Sequence, residues 1–319
     1  MTTHIDDGAR AAELAADVRA GLTASPKTLP PKYFYDAVGS ELFDEITRLP
    51  EYYPTRTERA ILAERADEIA LRTGAETLIE IGSGTSEKTR LLLHALAAHG
   101  SLRHFVPFDV DPAVLTAASA AINQEFPALS VEPVVGDFEK HLHLLPRGGR
   151  RLIAFLGSTI GNLEPQSRLN FLRSVRATMS PGDAFLLGTD LVKPADRLVA
   201  AYDDADGVTA RFNKNVLRVV NRELDADFDL DGFEHVAVWD ELQEWIEMRL
   251  RSRRSQAVHI GRLGMQVRFD AGEQLRTEIS AKFRRERVAD ELARSGLRLT
   301  QWWTDPSGDF ALSLSVVEQ

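Results

Sequence analysis

Two glycines and two carboxylates are crowded into residues 80–87, and their order restricts what can bind beside them. The stretch reads Glu80-Ile81-Gly82-Ser83-Gly84-Thr85-Ser86-Glu87 and closes an apolar run that opens at Thr77. A Gly-x-Gly turn between a strand and a helix lets a ligand approach the backbone closely. In a nicotinamide or flavin fingerprint a third glycine packs the helix against the strand, and here Glu87 stands in its place. A helix N-terminus that receives a pyrophosphate also works best without carboxylates nearby, whereas Glu80 and Glu87 flank this one. Dinucleotide binding is therefore disfavoured, and the turn asks for a less anionic ligand. Taken alone, a glycine-rich turn with no ligand reads the same way.

Two more groups stand at matching places. Asp109 ends the next strand-like run, about 27 residues after Gly82, where an acid reaches ribose hydroxyls. Gly136-Asp137-Phe138 ends the third, where a carboxylate can accept from an adenine amine and a ring can stack on the base. Each has a plainer reading, with Asp109 or Asp111 as a helix cap and Phe138 as core. Three such groups at three successive strand ends line the carboxyl edge of an open sheet, where these sheets bind ligands. S-adenosylmethionine fits this edge, since it carries a nucleoside, a sulfonium and an amine but no phosphate.

The elements that must hold these groups are legible as alternating strands and helices. A capping box at Thr55 and Glu58 opens a helix that ends at Gly74. Strands follow at 77–81, 104–108, 129–135, 151–157 and 184–189, separated by helices, of which one is capped at Asp111-Pro112 and one opens at Glu164-Pro165. Near-continuous apolar strands alternating with helices imply a parallel sheet covered on both faces. The chain ends in a helix over 288–294 and two strands, 297–304 and 310–317, joined by a turn so short that they must be antiparallel. The expected fold class is α/β, a Rossmann-like methyltransferase sheet with an antiparallel C-terminal hairpin. Between these parts a helical run, 194–224, is followed by back-to-back strands from His235 to Phe283, the mark of an inserted antiparallel α+β lobe. The expected division is therefore 57–192 with 282–319 for the methyl donor, and 1–56 with 193–281 for the substrate.

Composition narrows the function classes. The chain has 319 residues, a formal charge of −10 and no cysteine, which removes disulfides, thiolate metal sites and thiol catalysis together. A polyanion would be repelled overall, and the basic cluster Arg249–Arg254 reads as one exposed strand and turn, so nucleic acid is not an expected partner. The N-terminal residues are polar and acidic and no apolar run approaches a membrane span, so a cytoplasmic location without membrane attachment is expected. Asp227, Asp229, Asp231 and Gly232 mimic a calcium loop but lack its closing glutamate, Val238 occupying the twelfth position. His141 and His143 in a helix would face different sides, so no metal is expected. Trp302 and Trp303 are expected to pack the C-terminal hairpin.

Longer stretches, among them "LPPKYFYDAVGSELFDEITRLPEYYPTRTE", "IEIGSGTSEKT", "FLGSTIGNL", "FNKNVLRVVNREL" and "WWTDPSGDF", carry a family likeness. The sequence resembles the L-histidine Nα-methyltransferases of ergothioneine biosynthesis over nearly its whole length. The resemblance implies S-adenosylmethionine-dependent trimethylation of the histidine α-amine to hercynine. It implies donor contacts at Tyr35, Gly82, Lys88, Asp109, Asp137 and Phe138, and a histidine site at Tyr52, Asn162, Tyr202, Glu278 and Ser280, lined by Gly157, Thr159 and Met248. Within it, the Asn162 amide would hold the amino acid end of the substrate with Tyr202, and Tyr52 would take the amine proton directly or through water. Glu278 and Ser280, two apart in a strand, would face one way and bond the two imidazole nitrogens. The implied partners are histidine and its mono- and dimethyl forms, met by a monomer. A methyltransferase acting on another small amine shares every donor feature, and an NAD(P) oxidoreductase or a non-enzymatic binding protein on this fold are further alternatives.

Overall fold

A computed structural model describes residues 2–3 and 7–318, and the chain divides into two units. The larger comprises residues 2–3, 54–192 and 282–318, and the smaller residues 7–53 and 193–281. Each has its own apolar core.

In the larger unit the apolar runs become the strands of one mixed sheet. Its spatial order is Thr2–Thr3, Val134–Val135, His104–Asp109, Thr77–Ile81, Arg151–Phe155, Ala184–Asp190, Phe310–Val317, Leu297–Thr304. All pairings up to Ala184–Asp190 are parallel, and the last two strands are antiparallel. Thr77–Ile81 and Arg151–Phe155 are buried along their whole length because helices cover both faces, which is why they alternate so little in sequence. Asp111 caps the helix Pro112–Glu125 by accepting from the amides of Ala113 and Val114 at 2.8 and 3.2 Å.

Three expectations are corrected here. The run 129–135 is split into Ser130–Val131 and Val134–Val135, because Pro133 between them has no amide to give to a ladder. Residues 2–3, expected with the inserted lobe, run parallel to Val134–Val135 instead, and two polar threonines give no apolar signal of it. The helix expected to start at a Thr55–Glu58 capping box is Pro54–Thr73, with proline in its first turn. Glu58 is fully buried, and its carboxylate bonds the Gly157 amide and Lys88 rather than its own helix end.

The smaller unit carries a four-stranded sheet in the order Lys27–Thr28, Gln274–Ala281, Trp245–Ser252, Phe233–Asp240, and a separate hairpin of Gln256–Ile260 with Met265–Phe269. The run 194–224 is two helices, Ala195–Tyr202 and Val208–Leu224. Gly207 sits at φ +67° between them, and the buried Asp204 accepts from the amides of Val208 and Thr209 at 2.8 and 2.7 Å, restarting the second helix. The basic stretch is not an exposed strand. Trp245–Ser252 lies between two partners, and its arginines are paired, Arg249 with Glu247 and Arg251 with Glu234, while Arg254 beyond it meets Asp229. The acidic loop spends Asp227 on the His259 amide and Asp229 on the Asp231 amide and Arg254. Among the described residues, no helix is long and apolar enough to cross a membrane.

Candidate active site

In the larger unit the candidate groups collect at the carboxyl ends of the parallel strands. Gly82, Gly84 and Ser86 all have positive φ, +67°, +48° and +54°, and these left-handed residues hold the chain in a loop until the helix Arg90–His99 begins. Beneath the loop Glu80 is buried, accepting from the Ser86 hydroxyl at 2.8 Å and from Thr89. Burial pushes its carboxyl up to about 7 against the opposing pull of Thr89, Ser86 and Lys88. Glu80 thus anchors the loop from below, and its raised pKa weakens the negative charge that the sequence argument gave it.

The two aspartates after the next strand divide the alternatives between them. Asp111 is the cap, while Asp109 turns to the glycine loop and accepts from the Gly84 amide at 2.9 Å and from the Asp111 amide at 3.1 Å. Burial raises its pKa, opposed by those backbone bonds. At the third strand end a Cβ on Gly136 would lie 2.6 Å from the Phe108 ring, so only glycine lets Asp137 and Phe138 follow there. Asp137 accepts from the Glu139 amide at 2.8 Å, and Phe138 is half-buried against Phe155 and Phe171, with centroids 5.4 and 5.6 Å away. His141, expected in a helix, precedes a short 3₁₀ turn and accepts from the Asp137 amide through Nδ1 at 3.0 Å. Among the described residues no group of three His, Asp or Glu side chains is placed to hold a metal.

The fourth strand end turns sharply. Gly157 and Ser158 have φ of +77° and +57°, and the 3₁₀ turn Thr159–Asn162 follows. Ser158 is fixed by accepting from the Asp190 amide at 2.9 Å, and Asp190 is itself buried against Lys282 at 2.9 Å. Gly157, Thr159 and Asn162 are left half-buried on this loop. Lys88 reaches the same place from the glycine loop, its ammonium 3.7 Å from where a Gly157 Cβ would be.

The residues fit a nucleoside-bearing cation. Ser83, between the two glycines, has a buried hydroxyl with no hydrogen-bond partner among the described residues, a group able both to donate and to accept. Gly84 has open space where a Cβ would stand, and Asp109 and Asp137 are acids at the two following strand ends.

The smaller unit assembles the aromatic and polar candidates. Tyr202 ends its helix, and its hydroxyl lies 2.7 Å from that of Ser280. The Tyr52 ring stands edge-on to Tyr202 at 6.3 Å, and Phe43 links Tyr52 at 6.2 Å to Tyr35 at 5.6 Å. Met248 is the cross-strand neighbour of Glu278 and Ile246 that of Ser280, so both polar side chains share the sheet face of Met248 and Ile246. Glu278 and Ser280 are only 8% and 4% exposed, which makes a polar partner for Glu278 essential. Sequence reasoning missed the groups that hold this set. His235 donates from Nε2 to the Tyr202 carbonyl at 2.7 Å and accepts at Nδ1 from Asn213 at 2.8 Å, and Asn213 accepts from Thr277 at 2.6 Å. Asn213 in the middle of a helix was the available signal, since asparagine disfavours a helix interior and its place there calls for a compensating bond. Phe43 and Glu58 were missed as well. Of the expected histidine residues, Gly157, Thr159 and Asn162 fall in the larger unit and the rest in the smaller, while Tyr35 is the one expected donor contact in the smaller unit.

The model of the histidine-specific, SAM-dependent methyltransferases matches residues 14–317. A histidine N-alpha-methyltransferase of Mycolicibacterium smegmatis is 60% identical over 99% of this chain and 98% of its own length. Its counterpart of the same name from Mycobacterium tuberculosis is 58% identical over the same shares of the two chains. Ergothioneine biosynthesis protein 1 of Schizosaccharomyces pombe is 35% identical over 67% of this chain, which spans 29% of that protein.

Proposed function

Because this chain belongs to the family of histidine-specific, SAM-dependent methyltransferases, we propose that it methylates the α-amine of free L-histidine three times, giving hercynine, the first step of ergothioneine biosynthesis. The observation that carries this reading is the 60% identity to a histidine N-alpha-methyltransferase along 99% of the chain. A small-molecule substrate, a cytoplasmic location and action as a monomer go with it.

S-adenosylmethionine supplies an electrophilic methyl group on a sulfonium that leaves without an acid. Asp109 and Asp137 are the acceptors for its ribose and adenine, Phe138 the stacking ring, Gly82 and Ser83 the backbone and hydroxyl contacts, and Lys88 the cation for its carboxylate; Tyr35 completes this set. Asn162 and the Tyr202 hydroxyl hold the amino acid end of histidine, and Glu278 and Ser280 bond its ring nitrogens. Positioning of a neutral amine provides most of the acceleration. Tyr52 accepts the amine proton, directly or through water, and Tyr52, Tyr202 and Phe43 favour the cation that builds up with each methylation. Gly157, Thr159 and Met248 set the space around the substrate.

Mass spectrometry of histidine incubated with the protein and S-adenosylmethionine tests this directly. Mono-, di- and trimethylhistidine should accumulate in that order, and transfer to a different amine in a panel of amino acids, with none to histidine, would overturn it.

A further inference from the structure

We infer that Glu58 is a positioning residue of methyl transfer, acting through Lys88 and the Gly157 amide rather than on the reacting atoms. The inference rests on the reading above, in which Lys88 meets the methyl donor.

Glu58 comes from the second turn of the helix Pro54–Thr73, yet its carboxylate is fully buried at the carboxyl ends of the sheet. A carboxylate in such a place is costly unless each oxygen has a partner. Both oxygens accept from the Gly157 amide, at 2.8 and 3.0 Å, and Oε2 also takes the ammonium of Lys88. Lys88 is itself 21% exposed, so one end of this pair faces outward while the other is locked in the core. The sheet is shaped around the carboxylate. A Cβ on Gly188, in the strand Ala184–Asp190, would lie 2.0 Å from Glu58 Oε1, and only glycine leaves that space. Packing of a helix on a sheet would be served better by an apolar side chain of similar volume.

What the arrangement does is join two loops that sequence separates. Lys88 belongs to the glycine loop after the first parallel strand, and Gly157, at φ +77°, to the loop after the fourth. One carboxylate restricts the lysine's rotamers and fixes the direction of the Gly157 amide, so the ammonium is pre-ordered before a donor arrives. Glutamine at this position keeps an oxygen for the Gly157 amide and removes the charge that holds Lys88, which separates the two arms of the bond network.

The test measures S-adenosylhomocysteine affinity by calorimetry, with no amino acid present, for the wild type, Glu58→Gln, Lys88→Met and the double variant. Each single change should weaken binding about tenfold, and the double variant should be no weaker than Lys88→Met alone. In turnover with histidine, Glu58→Gln should raise KM for S-adenosylmethionine about tenfold while kcat and the histidine KM stay within about twofold. Wild-type affinity in Glu58→Gln, or losses that multiply in the double variant, would overturn the inference. Should Glu58→Gln fail to fold, Gly188→Ala displaces the same carboxylate without removing it, and wild-type affinity in folded Gly188→Ala counts equally against the idea. If the coupling to Lys88 is found but histidine is not methylated, the role of Glu58 stands and the substrate reading falls; if the wild type binds no S-adenosylhomocysteine, both fall.

Discussion

At the scale of single residues, what matters is which polar groups are buried with partners in place. Glu278 is 8% exposed in a strand, beside Met248 across the ladder. A pocket wall that holds a buried carboxylate discriminates against molecules that offer it no hydrogen bond, because they desolvate the group without adding a bond in return. Replacing Glu278 with Ala should lower kcat/KM for histidine by ~10²-fold or more and narrow its advantage over tryptophan, read by running both amino acids against labelled methyl donor. Unchanged ranking of the two would remove Glu278 from the specificity site. The same scale shows why some residues were legible and others not. Gly82, Asp109 and Asp137 stand at strand ends that periodicity predicts, so their types could be interpreted from position alone. Glu58 was misread because a Thr-x-x-Glu spacing describes a cap whenever nothing else claims the glutamate, and the competing claimants, Gly157 and Lys88, are distant in sequence.

Between elements, two buried polar contacts carry the smaller unit. Asp204 restarts the helix Val208–Leu224 by accepting from two amides, and burial of the first turn denies those amides to water. Asp204→Ala should cost about 1–2 kcal/mol of stability in urea unfolding, while Asp204→Ser, which can still cap, should cost less. His235 ties the C-terminal residue of Ala195–Tyr202 to the strand Phe233–Asp240. Burial lowers its pKa below the usual histidine value of 6.5, against the pull of the Tyr202 carbonyl, Asp203 and Asp204. The unfolded chain therefore binds the proton first, so stability from neutral His235 is whole above about pH 6.5 and is lost as pH falls below it. Glu80 works in the opposite sense, since its raised pKa makes the folded state bind a proton more tightly between about 4.5 and 7, and stability from this group declines as pH rises through that window. The stability difference between wild type and His235→Gln, followed from pH 8 to pH 5, isolates the histidine. It should be about 1–3 kcal/mol at pH 8 and shrink on acidification. A difference that stays constant over that range would show that His235 does not titrate there.

For the molecule as a whole, a ligand that binds only the folded chain stabilises it by mass action. S-adenosylhomocysteine at 100 times its Kd should add about 2.7 kcal/mol and raise Tm by several degrees. Asp109→Asn, which removes the charge proposed to meet the ribose, should reduce that rise at the same ligand concentration while changing the ligand-free Tm far less. A full-sized rise in Asp109→Asn would place the nucleoside elsewhere. By itself the amino-acid sequence determined the α/β class, the parallel sheet with its antiparallel end, and the glycine and acid positions along the sheet edge. These follow from period, turn chemistry and burial on both faces, which are local properties. The tertiary structure alone decided that Pro133 splits a strand, that Asp204 and Gly207 divide a helix, that Arg249 pairs with Glu247 along an inner strand and Arg251 with Glu234 on the neighbouring one, and that Glu58, Gly157, Gly188 and Lys88 form one cluster. Those outcomes depend on contacts that no periodicity reports, from Asp204, four and five residues before the amides it caps, to Glu58, 99 residues from Gly157, and burial makes each polar group take whichever partner the fold brings to it.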